Sequence, residues 1–279
     1  MTISASAFDY VSALALRETS VVYGPGKEYL AEARLLPLAR AAGMADVDAY
    51  VARLQIDPAE QRKAIDALTI NETSWFRDNA PYQTFTDVML PSLIENRRHT
   101  QKIRIWSAAC SSGQEAYSLA MLLDEHLPLG WTAEILATDV STAMLERVES
   151  GRYGQVEMNR GLPAGLLVRH FTRVGTEWEI APKLRNMVST RHLNLAAPFP
   201  DLPQFDVVFL RNVLIYFEMD VKTDILTRVR RHIADDGFLL LGSSESSLDV
   251  ERHWTRETAG RVQLHRPVVN HPRPVAVGA

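Results

Sequence analysis

The pattern of apolar and polar positions changes near residue 100 of this 279-residue chain. Residues 1 to about 80 have the character of helices, and no strand is evident before Ile103. Beyond that point, short apolar runs alternate with segments whose apolar residues recur at helical spacing. Strands that alternate with helices are typical of a parallel, doubly wound sheet, so we expect an α/β protein with a helical N-terminal region.

Two helices are predicted in the first region. Asp57 to Glu60 supplies a capping aspartate, a proline at the first helical position and a glutamate at the third. This signal predicts a helix that runs to Leu68. Another helix is predicted over residues 28–42, where Pro37 predicts a break or kink because proline lacks an N–H donor.

The second region contains the alternation. Strands are predicted over residues 103–109, 133–138, 187–193, 205–210 and 238–241, and helices over residues 113–127, 141–150 and 220–234. Residues 235–237 are expected to form a turn, and residues 261–265 a terminal antiparallel strand. Residues 169–183 interrupt the alternation with two β-like runs about 174–176, which predicts a hairpin that serves recognition or is a simple surface excursion.

The most informative stretch is residues 103–120, IRIWSAACSSGQEAYSLA. Its apolar strand ends in small residues at Ala109, and Gly113 turns the chain into a helix whose first turn carries Glu115. Small residues let a ligand approach the backbone, and the free N–H groups of the helix start face it. Asp139 closes the next strand at the same edge of the sheet, where one carboxylate can accept hydrogen bonds from both hydroxyls of a ribose.

The charge of Glu115 narrows the ligand class. Neither GxGxxG nor GxxxxGK[ST] occurs, so the loop lacks the usual signals of dinucleotide and phosphate binding. The carboxylate would repel a pyrophosphate and attract an amine, which favours an adenosyl group with a sulfonium and an ammonium over NAD. The alternative is a tight strand–helix turn with an exposed glutamate on the helix dipole.

Three further segments carry candidate chemistry. Residues 71–78 (NETSWFRD) either cover a ligand or form a linker pinned by two aromatic residues. Asn194 presents a donor and an acceptor that suit an adenine edge, although asparagine there also forms turns. Arg211 and Asn212 end an apolar strand where ligands bind, and Tyr216 follows at a spacing of one helical turn. A buried Arg211 needs a ligand carboxylate or an acidic side chain, or forms an ordinary ion pair at the strand end.

Composition argues against several other classes. The formal net charge of −4 and the pI near 6.1 give no basic balance for nucleic acid or an anionic membrane. No apolar run approaches the roughly 20 residues of a membrane span, and the N-terminus lacks signal-peptide features, so we expect a cytoplasmic protein without membrane insertion. Cys110, the single cysteine, is expected to be a buried packing residue, and no metal is expected.

Five motifs occur in order along the chain: NETSWFRD, WSAACSSGQEAYSLA, ATDVSTAMLERVESGRY, FDVVFLRNVLIYF and LGSSESSLD. The first, second and fourth resemble N-x-T-x-F-F-R-[DE], W-S-A-[AG]-C-S-[ST]-G-E-E-P-Y-S-[IL]-A and F-D-[LV]-I-F-C-R-N-V-[LM]-I-Y-F of the chemotaxis-receptor glutamate O-methyltransferases, the CheR family. The third resembles the stretch that holds the family's ribose-binding aspartate, and the fifth resembles its G-x-S-E-S ending. The resemblance covers about residues 10 to 250.

The resemblance implies a Rossmann-like S-adenosylmethionine-dependent methyltransferase domain over residues 81–266, with a small inserted β-subdomain at about 169–183. It also implies an N-terminal helical domain with its linker over residues 1–80, and a disordered tail is expected over residues 267–279. The implied contacts of the cofactor S-adenosylmethionine, or of its product S-adenosylhomocysteine, are Asn71, Thr73, Arg77, Ala109, Gly113, Glu115, Asp139, Asn194, Leu195, Arg211 and Asn212.

Within this set, the resemblance places Glu115 at the methionine end, Asp139 at the ribose, and Asn194 with Leu195 at the adenine. Arg77 and Tyr216 are implied as the catalytic residues nearest the transferred methyl group. The acceptor would be a glutamate on the cytoplasmic methylation helices of a chemoreceptor, which is ionised at neutral pH and needs no general base.

Two departures from the family pattern qualify these expectations. Gln114 stands where the family usually has a glutamate, which leaves donor affinity open. The hairpin loop is short, so we expect weak or no tethering to a receptor's C-terminal pentapeptide, and we expect a monomer. A methyltransferase of a small acid and a donor-binding scaffold remain as alternatives. The helical domain and hairpin argue against the first, and Arg77 with Tyr216 argues against the second.

Overall fold

The computed structural model describes residues 3–19, 21–245 and 253–269. Its first part consists of the helices α1 (Ala5–Thr19), α2 (Glu28–Ala41), α3 (Val47–Leu54) and α4 (Pro58–Leu68). These helices enclose a core of buried apolar side chains that includes Val11, Leu35 and Tyr50. The helical character predicted for this region is therefore confirmed.

Helix α4 begins where the sequence predicts. The Asp57 carboxylate accepts hydrogen bonds from the backbone N–H groups of Ala59 (3.0 Å) and Glu60 (3.3 Å). These bonds satisfy two of the donors that a helix start leaves without an intrahelical partner. The helix ends at Leu68, as predicted.

The break that Pro37 could cause is not found, because helix α2 continues through this residue. Proline cannot donate to the carbonyl four residues earlier, which belongs to Ala33. Both residues are exposed, so water can satisfy that carbonyl. Ala31, Leu35 and Ala39 are buried at four-residue spacing, and this packing stabilises the helix despite the missing bond.

Ten strands occur in the described ranges. In chain order they are β1 (Lys102–Ala108), β2 (Thr132–Asp139), β3 (Arg152–Gly154), β4 (Phe171–Val174), β5 (Glu177–Ile180), β6 (Val188–His192), β7 (Phe205–Leu210), β8 (Ile233–Leu241), β9 (Trp254–Ala259) and β10 (Val262–Pro267). Seven form a mixed sheet in the order β6–β2–β1–β7–β8–β10–β9, and the other three form a small sheet in the order β3–β5–β4.

Helices connect and cover these strands. They are α5 (Ala80–Thr84), a π-helical turn (Phe85–Met89), α6 (Leu90–Asn96), α7 (Gln114–His126), α8 (Thr142–Ser150), α9 (Gln155–Met158), α10 (Ala164–His170), α11 (Pro182–Arg185), a 3₁₀ helix (Leu214–Tyr216) and α12 (Met219–Arg230). None of the helices in the described ranges is long and apolar enough to cross a membrane.

The central sheet is doubly wound, as predicted. Strands β6, β2, β1, β7 and β8 pair in parallel, so their carboxyl ends meet at one edge. Successive residues of β7 point to opposite faces, as the two-residue period of a strand requires. Val207 and Phe209 pack in the cluster that contains α7, whereas Val208 and Leu210 pack in the cluster that contains α12.

The connection into β8 differs from the prediction. Helix α12 ends at Arg230, and Ile233, which was expected on its apolar face, begins β8 opposite Phe205. The expected turn at residues 235–237 lies inside this strand as an irregular stretch, because the pairing shifts from Ile233 to Phe238 within two residues of β7. Burial of Ile233 against the sheet outweighs its helical spacing.

The C-terminal strands extend the sheet beyond the prediction. The expected strand at residues 261–265 corresponds to β10, which pairs antiparallel with β8 and with β9. Strand β9 has no counterpart in the sequence analysis. Pro267, assigned to the predicted tail, ends β10. Residues 270–279 of that tail lie outside the described residues.

The predicted hairpin is present. Strands β4 and β5 pair antiparallel, and only Gly175 and Thr176 connect them. Strand β3 pairs with the other side of β5 and completes a sheet that the hairpin alone did not predict.

This inserted sheet holds the linker that precedes α5. The Trp75 ring lies 4.9 Å from the Tyr153 ring and 5.4 Å from the Phe171 ring, in edge-to-face geometry. The backbone N–H of Trp75 donates to the carbonyl of Arg160 at 3.0 Å. A Cβ on Gly161 would lie 2.2 Å from the Trp75 carbonyl oxygen, so the linker fits here only against glycine.

We predict that Gly161→Ala destabilises the protein more than Gly175→Ala does. Both glycines have positive φ, which costs an alanine about 1 kcal/mol, but only Gly161 meets backbone atoms and adds about 1–3 kcal/mol of overpacking. Urea denaturation of the two variants measures the difference. Equal losses of unfolding free energy would contradict the close fit between the linker and the insertion.

Candidate functional site

A cavity lies where the carboxyl ends of β1, β2 and β7 meet, beneath the linker between α4 and α5. Most of the predicted site residues line it: Asn71, Thr73, Arg77, Ala109, Glu115, Asp139, Asn194, Leu195, Arg211, Asn212 and Tyr216. Gly113 is the predicted residue that the structure leaves outside the cavity wall. Thr19 and Val21 also line the cavity, so the helical region contributes to the site.

The loop after β1 adopts a rare backbone conformation. Ala109 (φ 59°), Ser111 (φ 50°) and Gly113 (φ 93°) are left-handed, which is uncommon for residues other than glycine. The Ser111 N–H donates to the Asp139 carboxylate at 2.8 Å and fixes the loop against β2. A Cβ on Gly113 would approach Val148 Cγ2 to 2.9 Å, so this glycine allows packing onto α8 rather than lining the cavity.

Glu115 places a largely buried carboxylate in the cavity wall. Its Oε1 accepts a hydrogen bond from Ser107 Oγ at 2.8 Å, and its Oε2 lies 3.2 Å from Nη1 of Arg211. Burial raises the pKa of the Glu115 carboxyl, and the charge of Arg211 opposes that shift. The side chain is only 12% exposed, so the exposed glutamate of the alternative interpretation is not found.

Arg211 has acidic partners within the protein. Its side chain is 2% exposed, and its Nη2 donates to Asp78 Oδ2 at 2.6 Å and to the Arg77 carbonyl at 3.0 Å, besides the pair with Glu115. Its buried Nε makes no hydrogen bond to any residue in the described ranges. The guanidinium therefore joins the end of β7 to α7 and to the linker.

Asp139 is held at the end of β2 by backbone donors. Its two carboxylate oxygens accept from the N–H groups of Ser111 (2.8 Å) and Ser141 (2.9 Å). Burial raises the pKa of the Asp139 carboxyl, and these backbone hydrogen bonds oppose the shift. A carboxylate accepts more than two hydrogen bonds, so lone pairs remain for the hydroxyls of a ligand.

The Asn194 side chain is occupied by protein groups. Its Nδ2 donates to the Glu18 carbonyl at 2.7 Å, and its Oδ1 accepts from the Ala196 N–H at 2.9 Å. This geometry favours the turn interpretation for the side chain and links the loop after β6 to α1. The residue still lines the cavity beside Leu195, a buried apolar side chain suited to the face of an adenine ring.

The linker closes over the cavity. The Asn71 carbonyl accepts from Ser111 Oγ at 2.8 Å, and Arg77 Nη1 donates to the Glu72 carbonyl at 2.8 Å. Trp75 is buried, which supports the expected aromatic anchor. Thr73 lies between these contacts in the cavity wall.

Asn212 and Tyr216 reach the cavity by a different geometry from the one expected. Asn212 is left-handed (φ 59°), so no regular helical turn joins the two residues, and Tyr216 ends a short 3₁₀ helix. The Tyr216 ring packs against the core of the helical region. Burial raises the pKa of the Tyr216 hydroxyl, and the nearby charges of Arg77 and Arg34 oppose that shift.

Three contacts at the site have no counterpart in the sequence analysis. Asp78, Ser111 and Glu18 each hold a predicted site residue or its segment, as described above. Asp78 lies in the NETSWFRD motif and Ser111 in the loop after β1, so both segments were singled out without these roles. Glu18 acts through its backbone carbonyl, for which a sequence carries no signal.

The chemistry of the cavity fits S-adenosylmethionine. The Glu115 carboxylate suits an ammonium group, the positive charge of Arg211 suits a carboxylate, and Asp139 suits a ribose. In the described ranges, no group of three or more His, Cys, Asp or Glu side chains is placed to hold a metal ion.

Comparison with known proteins identifies the two regions. Residues 71–263 match the family described as "CheR methyltransferase, SAM binding domain", and residues 6–69 match "CheR methyltransferase, all-alpha domain". Among solved structures, the glycopeptide N-methyltransferase MtfA with S-adenosylmethionine is 15% identical, with a TM-score of 0.38 over 72% of this chain and 61% of that one. The family assignment does not depend on this similarity.

Curated relatives agree over most of their length. Chemotaxis protein methyltransferase 1 of Pseudomonas aeruginosa is 41% identical over 84% of this chain and 88% of its own. Chemotaxis protein methyltransferase Cher2 of Pseudomonas putida is 38% identical over the same shares, and the chemotaxis protein methyltransferase of Vibrio parahaemolyticus is 34% identical over 88% and 91%. With both domains matched and these relatives aligned over 84–88% of its length, the chain belongs to the CheR family of S-adenosylmethionine-dependent chemotaxis methyltransferases.

Proposed function

We propose that the protein methylates glutamate side chains on the cytoplasmic methylation helices of chemoreceptors and forms glutamyl methyl esters. The observation that carries this proposal is the convergence of Arg77 and Tyr216 on the cavity that also contains Glu115 and Asp139. The first pair suits an acidic acceptor, and the second pair suits the donor. The membership of the chemotaxis methyltransferases supports a sensory receptor as the substrate.

The proposed donor contacts follow the charge and shape of the cavity wall. Glu115 and Arg211 take the two charged groups of the methionine end, and Asp139 takes the ribose hydroxyls. Leu195 packs against the adenine. Asn71, Thr73, Arg77, Ala109, Asn194 and Asn212 complete the proposed set of donor contacts.

Methyl transfer to the proposed acceptor needs no general acid or base. When bound, S-adenosylmethionine supplies a methyl group on a positively charged sulfur, which an ionised carboxylate attacks directly. Arg77 orients that carboxylate through its guanidinium, and the Tyr216 hydroxyl donates a hydrogen bond to it. Alignment of two reactants supplies roughly 7–11 kcal/mol of the barrier reduction. The linker and the contact of Tyr216 with the helical region exclude water from this alignment.

The proposal extends to receptor tethering and oligomeric state. The two-residue connection between β4 and β5 offers little surface, so we propose that a receptor's C-terminal pentapeptide binds weakly or not at all. The protein is proposed to act as a cytoplasmic monomer.

We predict that the protein transfers a radiolabelled methyl group to a chemoreceptor fragment and that mild base releases the label as volatile methanol. An ester hydrolyses under these conditions, whereas an N-methyl group is stable. A receptor fragment whose candidate glutamates are replaced by alanine is the matched control. Base-stable label, or equal labelling of the control fragment, would refute glutamate methylation.

We predict that Arg77→Ala and Tyr216→Phe impair turnover more than donor binding. Loss of the orienting guanidinium should lower kcat by about 10²-fold. Loss of one hydroxyl should lower kcat by about tenfold, the equivalent of roughly 1.4 kcal/mol. S-adenosylhomocysteine binding by calorimetry should change far less. Arg98→Ala, which removes an exposed arginine, is the control, and normal kcat in both site variants would contradict their roles.

We predict that S-adenosylhomocysteine binds more weakly as pH falls. Burial raises the pKa of Glu115 and of Asp139, so both lose their charge at a higher pH than exposed carboxyls do, and attraction to the ligand's ammonium falls with the charge of Glu115. Glu115→Gln should weaken binding at neutral pH and flatten its pH dependence, with the remainder due to Asp139. Calorimetric measurement of S-adenosylhomocysteine affinity between pH 8 and 5 tests this prediction, with Glu95→Gln, at an exposed glutamate, as the control. A Glu115→Gln variant whose affinity depends on pH as steeply as that of the wild type would contradict it.

A further inference from the structure

Glu245 lies in the turn that follows β8, at the same sheet edge as the cavity. The turn is closed by the Glu245 N–H, which donates to the Gly242 carbonyl at 3.0 Å. Its side chain points to the loop after β7, the segment that carries Asn212 and Tyr216. Glu245 is not among the residues that line the donor cavity.

The Glu245 carboxylate accepts four backbone hydrogen bonds. Oε2 accepts from the N–H groups of Asn212 (2.8 Å) and Gly242 (2.5 Å), and Oε1 accepts from those of Val213 (2.8 Å) and Leu214 (2.6 Å). Three consecutive N–H groups that begin at a left-handed residue form a nest for an anion. The carboxylate fills this nest and caps the 3₁₀ helix that ends at Tyr216.

We call these four hydrogen bonds the Glu245 clamp. Two further backbone hydrogen bonds connect the clamp to Tyr216 and its neighbour. The Tyr216 N–H donates to the Val213 carbonyl at 3.2 Å, and the Phe217 N–H donates to the Leu214 carbonyl at 3.1 Å. The two residues that hold Tyr216 are therefore the two whose own N–H groups bind Oε1. Leu214 and Phe217 are buried, so the backbone is fixed on both sides of the half-buried Tyr216.

Gly242 is shaped for the same contact. A Cβ at this position would lie 2.6 Å from Glu245 Oε2 and 2.9 Å from the Asn212 backbone nitrogen. Only a residue without a side chain lets the carboxylate, the turn and the loop after β7 approach this closely.

We infer that Glu245 is a positioning residue for methyl transfer, because its carboxylate fixes the 3₁₀ helix that presents the Tyr216 hydroxyl to the acceptor. The inference rests on the proposed function for the role of Tyr216 at the acceptor. Glutamine in place of Glu245 keeps the size of the side chain but has one accepting oxygen, so it leaves two of the four N–H groups without their acceptor. The loop then loses its fixed position, which affects Asn212 among the proposed donor contacts, while the donor contacts at the ends of β1 and β2 and on the linker remain.

The test is a double-mutant cycle of Glu245→Gln and Tyr216→Phe, with kcat for receptor methylation and S-adenosylhomocysteine affinity as readouts. Glu245→Gln alone should lower kcat by up to about tenfold, the loss expected when the Tyr216 hydroxyl itself is removed, and change affinity by less than about threefold. Added to Tyr216→Phe, it should lower kcat little further, because both act through the same hydroxyl. Equal fold-losses in the two backgrounds, or an affinity loss as large as the kcat loss, would overturn the inference.

Asp206→Asn is the structural control. The Asp206 carboxylate also accepts from a backbone N–H, that of Arg104 at 2.7 Å, and from Arg97, but at the opposite end of β7. This variant should lower stability without the selective loss of kcat. A kcat loss equal to that of Glu245→Gln would show a general structural effect and overturn the inference.

A fluorine NMR measurement on the protein without a methyl acceptor tests the Glu245 clamp independently of the proposed function. With 3-fluorotyrosine in place of Tyr216, Glu245→Gln should shift or broaden the fluorine resonance, and with 3-fluorotyrosine in place of Tyr29 it should not. A changed resonance in a protein that fails to methylate any receptor fragment refutes the proposed function while the clamp on Tyr216 stands. An unchanged resonance at position 216 refutes the clamp, whether or not the wild-type protein methylates receptors.

Discussion

The buried ion pairs of Arg211 are the interaction on which the site depends. A guanidinium out of contact with water is unfavourable unless its charge and donors are matched. Here the matching groups come from α7, through Glu115, and from the linker, through Asp78 and the Arg77 carbonyl. The end of β7 therefore cannot be buried without drawing both segments to it. This requirement places the linker over the cavity and brings Arg77 to the same wall as Glu115.

The architecture is largely predictable from sequence because strand and helix periods are local properties. The parallel strands β1, β2, β6 and β7 and the capped start of α4 illustrate this. The errors occur where distant residues decide the outcome. Packing of α2 carries the helix through Pro37, and pairing with Phe205 makes Ile233 part of a strand. Strand β3 forms because β5 offers it an edge, which a three-residue segment does not signal.

The candidate site, like the fold, is only partly predictable from sequence. The loop after β1 and the ends of β2 and β7 could be located from sequence, since parallel strands bring their carboxyl ends together. The partners of those side chains could not. Asn194 presents the donor and acceptor expected of it, yet Glu18 and Ala196 occupy both. Arg211 needs an anion, but the sequence does not say which of the chain's acidic residues supplies it.

Backbone strain is concentrated around the cavity. In the described ranges, the non-glycine residues with left-handed φ are Phe76, Asp78, Asn79, Gln101, Ala109, Ser111 and Asn212, and all except Gln101 lie in the linker, the loop after β1 or the loop after β7. Each such residue costs about 1–3 kcal/mol, so the surrounding bonds must over-determine its conformation. Arg211 does so for the linker, Asp139 for the loop after β1 and Glu245 for the loop after β7. Each of the three segments that meet at the cavity is thus fixed by one buried or clamped charge. Methyl transfer depends on the alignment of the two reactants and needs no general acid or base, so it requires a protein whose site geometry is fixed in this way.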